Sequence, residues 1–266
     1  MAKDKIATRK PQELAPYEQE LMNEARDERA KETLGVPRIT HRGGVIQIDG
    51  KQVQGNRLKL AVIDYIFEKT YFEGKFDPTK PATPDCYAFG TEEKSMVAHE
   101  AAPHKQNLKP DGTSPCIDCK WNKFNTAEIG RGKRCKDYRR LLVISPLLGQ
   151  DGLPRNGDLQ KAEKRQLQIP PASLKNWGNY LSSLPERTRT GNVREMIMEV
   201  SAQPLKNGGH GLTFEPVAPV SAETLQGIMA LRKQSQGVLT QPWPNIETEG
   251  APEPPKRSAK SNRKLD

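Results

Sequence analysis

The chain has 266 residues, enough for one large domain or two small ones, and only 34% of them are hydrophobic. The mean hydropathy is −0.78, so we expect part of the chain to lie outside any core. No apolar run approaches the length of a membrane span, and no apolar stretch follows the charged first residues, so the sequence indicates neither a membrane segment nor a signal peptide.

The N-terminal part changes from a polar arm to strands. Residues 1–34 are polar, with a few apolar residues at helical spacing, which predicts a helical or flexible arm. Val45, Ile46 and Ile48 then lead into Asp49-Gly50, a typical hairpin turn. Residues 58–67 alternate and are rich in β-branched and aromatic types, which predicts a long strand. Long strands joined by hairpins favour a small antiparallel barrel.

The cysteines are spaced like metal ligands. Two residues separate Cys116 from Cys119, so a tight turn can direct both thiolates at one ion, and fifteen more precede Cys135. The remaining cysteine, Cys86, completes a set of four, which predicts a structural Zn²⁺ site and a reducing, cytoplasmic location. Cys86 lies far from the others, so His99 or His104 stays open as the fourth ligand. Reduced structural cysteines without a metal are the simpler alternative.

Positive charge is concentrated beside these cysteines. The whole chain carries a formal +9, and residues 116–140 hold eight Lys and Arg against three Asp and Glu, a local excess of +5. A solvated charged loop is a common alternative. The neighbouring aromatic residues favour instead a surface that binds a phosphate backbone.

The second half of the chain predicts further strands and two helices. Residues 140–144 are a continuous apolar run, typical of a buried strand. Ser173 is a candidate N-cap for a helix over residues 174–184, and Ser221 for a final helix. Between these helices, residues 193–200 and 212–217 favour strands. From residue 234 onward Pro, Gly, Ser and charge predict a disordered basic tail.

No catalytic motif has diagnostic spacing. His99-Glu100 and His104 resemble a zinc-protease helix motif, but the histidines are five apart with Pro103 between them. A closed shell of four thiolates also offers no open metal position for hydrolysis. We therefore expect a protein that is not an enzyme, with a metal-assisted nuclease as the enzymatic alternative.

The cysteine block resembles a known family, the single-stranded-DNA-binding proteins of tailed bacteriophages that carry a zinc knuckle. The resemblance rests on Pro84-Asp85-Cys86, on the segment from Cys116 to Phe124, and on Gly132-Lys133-Arg134-Cys135-Lys136. It extends to Leu167-Gln168-Ile169-Pro170-Pro171 and covers about residues 45–231. It implies an OB-like barrel that coats single strands during phage DNA replication or recombination, in the host cytoplasm. One departure is the basic tail, where such proteins often carry an acidic tail that recruits partners.

Single-strand binding requires cations for phosphates and exposed rings for bases. Tyr71 and Phe72, at a strand end in a basic stretch, are the preferred stacking residues, whereas Phe67 and Phe124 are expected in the core. The full set of predicted DNA contacts is Lys59, Lys69, Tyr71, Phe72, Trp121, Lys133, Arg134, Tyr138, Arg139 and Arg140.

These observations predict a mainly β, α+β protein: an OB-like antiparallel barrel with a zinc-binding insertion, short helices and disordered termini. The barrel domain is expected over residues 35–233, with a zinc knuckle at 86–140 held by Cys86, Cys116, Cys119 and Cys135. The expected partners are single-stranded DNA and phage replication or recombination proteins. The alternative is a zinc-ribbon transcription or host-takeover protein that binds duplex DNA or a protein.

Overall fold

The structure, a computed structural model, describes residues 36–74, 83–128, 130–145, 163–205 and 208–243. The predicted N-terminal arm lies outside these residues, and so does the tail after Trp243. The described chain nevertheless passes residue 234, where the sequence predicts the start of disorder. Leu239 is buried there, so the boundary drawn from composition comes too early.

Within the described ranges, nine strands form a single sheet. The strands, in chain order, are β1 Arg38–Arg42, β2 Val45–Ile48, β3 Lys51–Gln52, β4 Arg57–Tyr71, β5 Cys86–Gly90, β6 Lys136–Ile144, β7 Lys164–Ile169, β8 Met196–Pro204 and β9 His210–Pro219. Their order across the sheet is β3-β2-β1-β7-β6-β4-β8-β9, and β5 pairs with β4. The α-helices among the described residues are α1 Leu174–Ser183 and α2 Ala222–Gln234.

The long strand β4 organises the sheet. One of its edges pairs with β6 over residues 61–70, while the other pairs with β8 at its start and with β5 at its end. The register to β6 shifts between Val62 and Asp64, and such a bulge bends a strand. Arg194 fixes the bulge, because its Nε donates to the carbonyl oxygen of Ile63 at 2.7 Å and its guanidinium pairs with Asp64.

The sheet curls into a half-barrel. β1 pairs in parallel with β7, so the sheet is mixed. The purely antiparallel sheet predicted from the sequence is therefore wrong in this respect. The turn after β1 approaches β9 closely: a Cβ on Gly44, where φ is +81°, would lie 2.2 Å from Cδ2 of His210. The positive φ favours glycine, and any side chain at this position would also have to displace the His210 ring. The mainly β, barrel-like α+β class predicted from the sequence is confirmed.

Apolar residues cover both faces of the sheet. The inner cluster joins Leu60, Leu141 and Ile169 to Trp177 of α1. The outer cluster joins residues such as Leu142 to α2 and to Leu239. Ser221 caps α2 as predicted, accepting from the Thr224 N–H at 3.1 Å. The cap predicted for Ser173 is wrong, because its hydroxyl instead accepts from the Leu212 N–H of β9 at 2.7 Å.

Helices α1 and α2 have ten and thirteen residues. Within the described ranges, neither they nor any other helix has the length and apolarity needed to cross a membrane.

Candidate metal and nucleic-acid site

The four cysteines line one pocket. Cys86 begins β5 and stands opposite Tyr71 of β4, which brings it to the end of the long strand. Cys116 and Cys119 form a turn, in which the Cys119 N–H donates to the Cys116 carbonyl oxygen at 3.3 Å. Cys135 precedes β6, and its N–H donates to the Trp121 carbonyl oxygen at 2.9 Å. The strand pairing therefore brings together thiols that are far apart in sequence.

Burial controls the chemistry of these thiols. It raises the pKa of Cys116 to about 12, and it raises the pKa of Cys135 as well. The other cysteines add to both shifts, while the ammonium of Lys69 opposes them. Burial also raises the pKa of Cys86, against a hydrogen bond from the Gln106 backbone. Because burial favours the protonated form of Cys86, Cys116 and Cys135, a bound cation would have to displace protons from these three thiols.

The described residues contain no group of three or more His, Cys, Asp or Glu side chains arranged to hold a metal ion. The four thiols share a pocket without converging on one point, so the zinc site remains a proposal. Cys86 lines that pocket. The His99 ring instead stacks on Tyr87, with ring centroids 5.2 Å apart, and its Nδ1 accepts from the Ala101 N–H at 3.1 Å. His104 is exposed. The arrangement favours Cys86 over either histidine as the fourth ligand.

Three predicted DNA contacts are corrected by their burial. Lys69 is 2% exposed, and its Nζ donates to Glu93 at 2.8 Å and to Asp137. Arg140 is 2% exposed and pairs with Glu68 at 2.6 Å. Tyr71 is 3% exposed. In this arrangement none of the three side chains is open to a strand.

Tyr71 instead supports a neighbouring ring. Its ring stacks on that of Trp121, with centroids 5.6 Å apart and planes 21° apart. The guanidinium of Arg134 lies 5.0 Å from the Trp121 ring and 5.4 Å from the Tyr71 ring. The Nζ of Lys120 lies 4.6 Å from the centroid of the Trp121 ring. The half-buried Trp121 is thus fixed by an aromatic ring and surrounded by cations.

The most exposed ring of the segment is Phe124, at 71%. Lys133 Nζ lies 5.3 Å from its centroid, and the neighbouring Lys123 is exposed. The core position predicted for Phe124 is wrong. Its polar neighbours on both sides, Asn122-Lys123 and Asn125-Thr126, are the signal that could have placed it at the surface. We call this region the knuckle surface: Lys120, Trp121, Lys123, Phe124, Arg131, Lys133 and Arg134.

The remaining predicted DNA contacts, which are Lys59, Phe72, Tyr138 and Arg139, lie outside the knuckle surface. Tyr138 and Arg139 continue from the knuckle along β6, where the Arg139 guanidinium lies 3.9 Å from the centroid of Phe67. Phe72 is half-buried just after β4. Lys59 lies near the opposite end of β4, facing Glu199 across the β4–β8 pairing. The structure therefore groups Trp121, Lys133 and Arg134, and places Lys59 away from them.

Comparison with protein-family models, curated proteins and solved structures gives no significant match. The family resemblance therefore rests on the quoted motifs alone. The fold and the knuckle surface carry the functional argument.

Proposed function

We propose that this protein binds and coats single-stranded DNA through the knuckle surface. The observation that carries the proposal is the exposure of Phe124 among cations, at 71% of its surface. An exposed ring stacks on unpaired bases of any sequence, and the surrounding Lys and Arg attract the phosphates. Other apolar side chains of this part of the chain, such as Ile117, are also exposed, and Phe124 differs from them in presenting a flat ring beside a cation.

The fold supports the same role. Five strands follow one another in the chain: β4, β6, β7, β8 and β9. The first of them, β4, pairs with the second, β6, and with the fourth, β8. Helix α1 connects the third, β7, to the fourth. This connectivity is typical of an OB fold, and we propose that assignment. The hairpin of β1 and β2 lies beside the third strand, where an OB barrel would close.

We also propose a structural Zn²⁺ held by Cys86, Cys116, Cys119 and Cys135. Four thiols in one pocket are a donor set typical of closed structural zinc sites, and the buried ammonium of Lys69 offsets part of their charge as thiolates. The metal would supply cross-linking and no reaction chemistry. The residues would tie the start of β5, the turn at 116–119 and the start of β6 into one support for the knuckle surface.

The biological setting that we propose, from the resemblance, is phage DNA replication or recombination. The decisive experiment is a titration of the protein against a single strand and the matching duplex at one fixed salt concentration, with strand cleavage monitored in parallel. We expect tighter binding to the single strand and no cleavage. Equal or tighter duplex binding would contradict the proposal and favour a zinc-ribbon protein, because a basic patch without stacking prefers the higher charge density of duplex. Metal-dependent cleavage would favour a nuclease.

A further inference from the structure

The outer face of the sheet holds the indole of Trp243 in a polar slot. Glu68 of β4, Arg140 of β6 and Gln168 of β7 meet on this face. The Trp243 Nε1–H donates to Glu68 Oε1 at 3.1 Å. Two guanidinium groups lie near the indole ring, that of Arg38 at 4.5 Å and that of Arg140 at 5.6 Å from its centroid.

The walls of the slot are fixed by buried polar contacts. Glu68 is fully buried, and its second carboxylate oxygen accepts from Gln168 Nε2 at 2.8 Å. Arg140 Nη1 donates to the carbonyl oxygens of Leu239 at 3.1 Å and Gln241 at 3.2 Å. These backbone contacts hold the preceding segment in place independently of the indole. The slot can therefore persist while Trp243 moves.

The indole fills only part of the hydrogen-bonding capacity of the slot. Tryptophan has one donor and no acceptor. Arg140 Nε is a buried donor that has no hydrogen-bond partner among the described residues. The edge of a nucleobase such as guanine presents a donor beside an acceptor, so it could donate to Glu68 as the indole does and also accept from Arg140. Its flat ring could stack on the Arg38 guanidinium in the place of the indole.

We infer that this slot is a nucleobase-binding site, and that Trp243 occupies it until a strand arrives. This inference rests on the proposed function and extends the binding surface. β6 begins at Lys136, two residues after Arg134 of the knuckle surface, and Arg140 lies four positions further along it, which is about 13 Å at the rise of a strand. A strand bound at the knuckle surface could therefore reach the slot by following β6. In the proposed OB assignment, β6 and β7 are the second and third strands, whose face commonly binds oligonucleotides.

An internal occupant lowers the apparent affinity for a strand, because only the fraction of molecules with an open slot can use it. We expect Trp243→Ala to bind a single strand at least about threefold more tightly than the parent protein. Gln241→Ala is the matched control, since its side chain is exposed and the carbonyl that binds Arg140 is retained. The double variant Arg38→Ala/Trp243→Ala should bind no more tightly than Arg38→Ala alone, because the exposed Arg38 provides the stacking surface.

A second measurement uses the parent protein, so it tests the inference even if Trp243→Ala is unstable. In the parent labelled with 5-fluorotryptophan, the ¹⁹F resonance of Trp243 should move to a solvent-exposed position when a single strand is added. The inference is overturned if the Trp243 resonance does not move in the strand-bound parent. It is also overturned if a stably folded Trp243→Ala binds a strand no more tightly than the parent does. Either result would leave the indole as a cover for the Glu68–Arg140 pair.

A mononucleotide separates this inference from the proposed function. Deoxyguanosine monophosphate should bind Trp243→Ala more tightly than it binds the parent. This expectation does not depend on how tightly either form binds a single strand. If the parent binds no single strand but the variant binds the mononucleotide, the proposed function fails and the slot stands. If the parent binds single strands and the two forms bind the mononucleotide equally, the slot fails and the proposed function stands.

Discussion

Asn122 donates its side-chain amide to the carbonyl oxygen of Cys116 at 2.9 Å. Its Oδ1 accepts from Lys133 Nζ at 3.2 Å and from Lys69 Nζ at 3.3 Å. One amide thus connects the turn of the proposed metal site to a cation of the knuckle surface. Asp137 strengthens the same connection, because it pairs with both lysines.

Asn122→Ala should weaken this connection at both ends. Loss of the bond to Cys116 should lower the free energy of unfolding by about 1 kcal/mol. Lys133 would keep its pairing with Asp137 but lose its link to the cysteine turn, so we expect the affinity for a single strand to fall about three- to ninefold. Thermal melting and a fluorescence titration measure the two effects. Asn179→Ala, an exposed amide on α1, is the control that should change neither.

The zinc proposal predicts about one zinc ion per chain, because four thiolates complete a tetrahedral shell. Chelation should lower the melting temperature, since the ion would join three separate segments. Elemental analysis of purified protein and of Cys86→Ser checks the ligand set, with His104→Ala as control. A zinc-free protein that binds single strands at full affinity contradicts the proposal, and full zinc retention in Cys86→Ser would exclude Cys86 as a ligand.

Arg140→Ala should be strongly destabilising. It would leave the fully buried Glu68 carboxylate without its cation, and loss of one partner from a buried pair costs about 3–5 kcal/mol. Denaturant unfolding measures the change. Arg139→Ala is the neighbouring control: its partly exposed guanidinium lies over Phe67, so a much smaller loss is expected. Equal stability of the two variants would show that the Glu68–Arg140 pair is not required for folding.

Local signals in the sequence predicted much of the fold. The Asp49-Gly50 turn joins β2 to β3, with φ of 51° and 74° at its two residues, as that dipeptide favours. The alternation before Phe67 predicted the long strand β4, and Ser221 predicted the start of α2. Each of these features depends on neighbouring residues, so each can be recognised without knowing the rest of the structure.

The errors concern residues whose partners are distant in sequence. Arg140 of β6 is buried because it pairs with Glu68 of the neighbouring strand β4, which is 72 positions away in the sequence. Lys69 is buried for the same kind of reason, since Asp137 is 68 positions away. A charged residue in a basic stretch therefore looked like a phosphate contact until the pairing of β4 with β6 was known. Trp243 was missed because it follows a stretch whose composition predicted disorder.

The exposed cations of the knuckle surface should determine the salt dependence of binding. Each phosphate contact removed should flatten the slope of log K against log salt by about 0.7 for a single strand. We expect this change for Lys123→Gln and for Arg131→Gln, both of which are exposed. Lys175→Gln on α1 is an exposed control that should leave the slope unchanged. Unchanged slopes in all three variants would identify the knuckle cations as ordinary solvated charges.

Phe124→Ala tests stacking on the knuckle surface. A base stacked on an aromatic ring contributes about 1–3 kcal/mol, so this variant should bind a single strand about 5- to 150-fold more weakly. Because 71% of the ring surface is exposed, the melting temperature should hardly change, and the salt slope should also stay the same since no charge is removed. Fluorescence titration at several salt concentrations, together with a thermal melt, measures all three quantities.

Two further variants define what the result means. Ile117→Ala removes another exposed apolar side chain of the same segment and should bind like the parent, because an aliphatic side chain has no flat face for a base. Tyr71→Ala removes a buried ring that packs on Trp121 and should mainly lower the melting temperature. Parent-like binding by Phe124→Ala would contradict stacking at this position and transfer the role to Trp121. Equal weakening by Phe124→Ala and Ile117→Ala would indicate nonspecific apolar contact, because stacking on a ring predicts a difference between them.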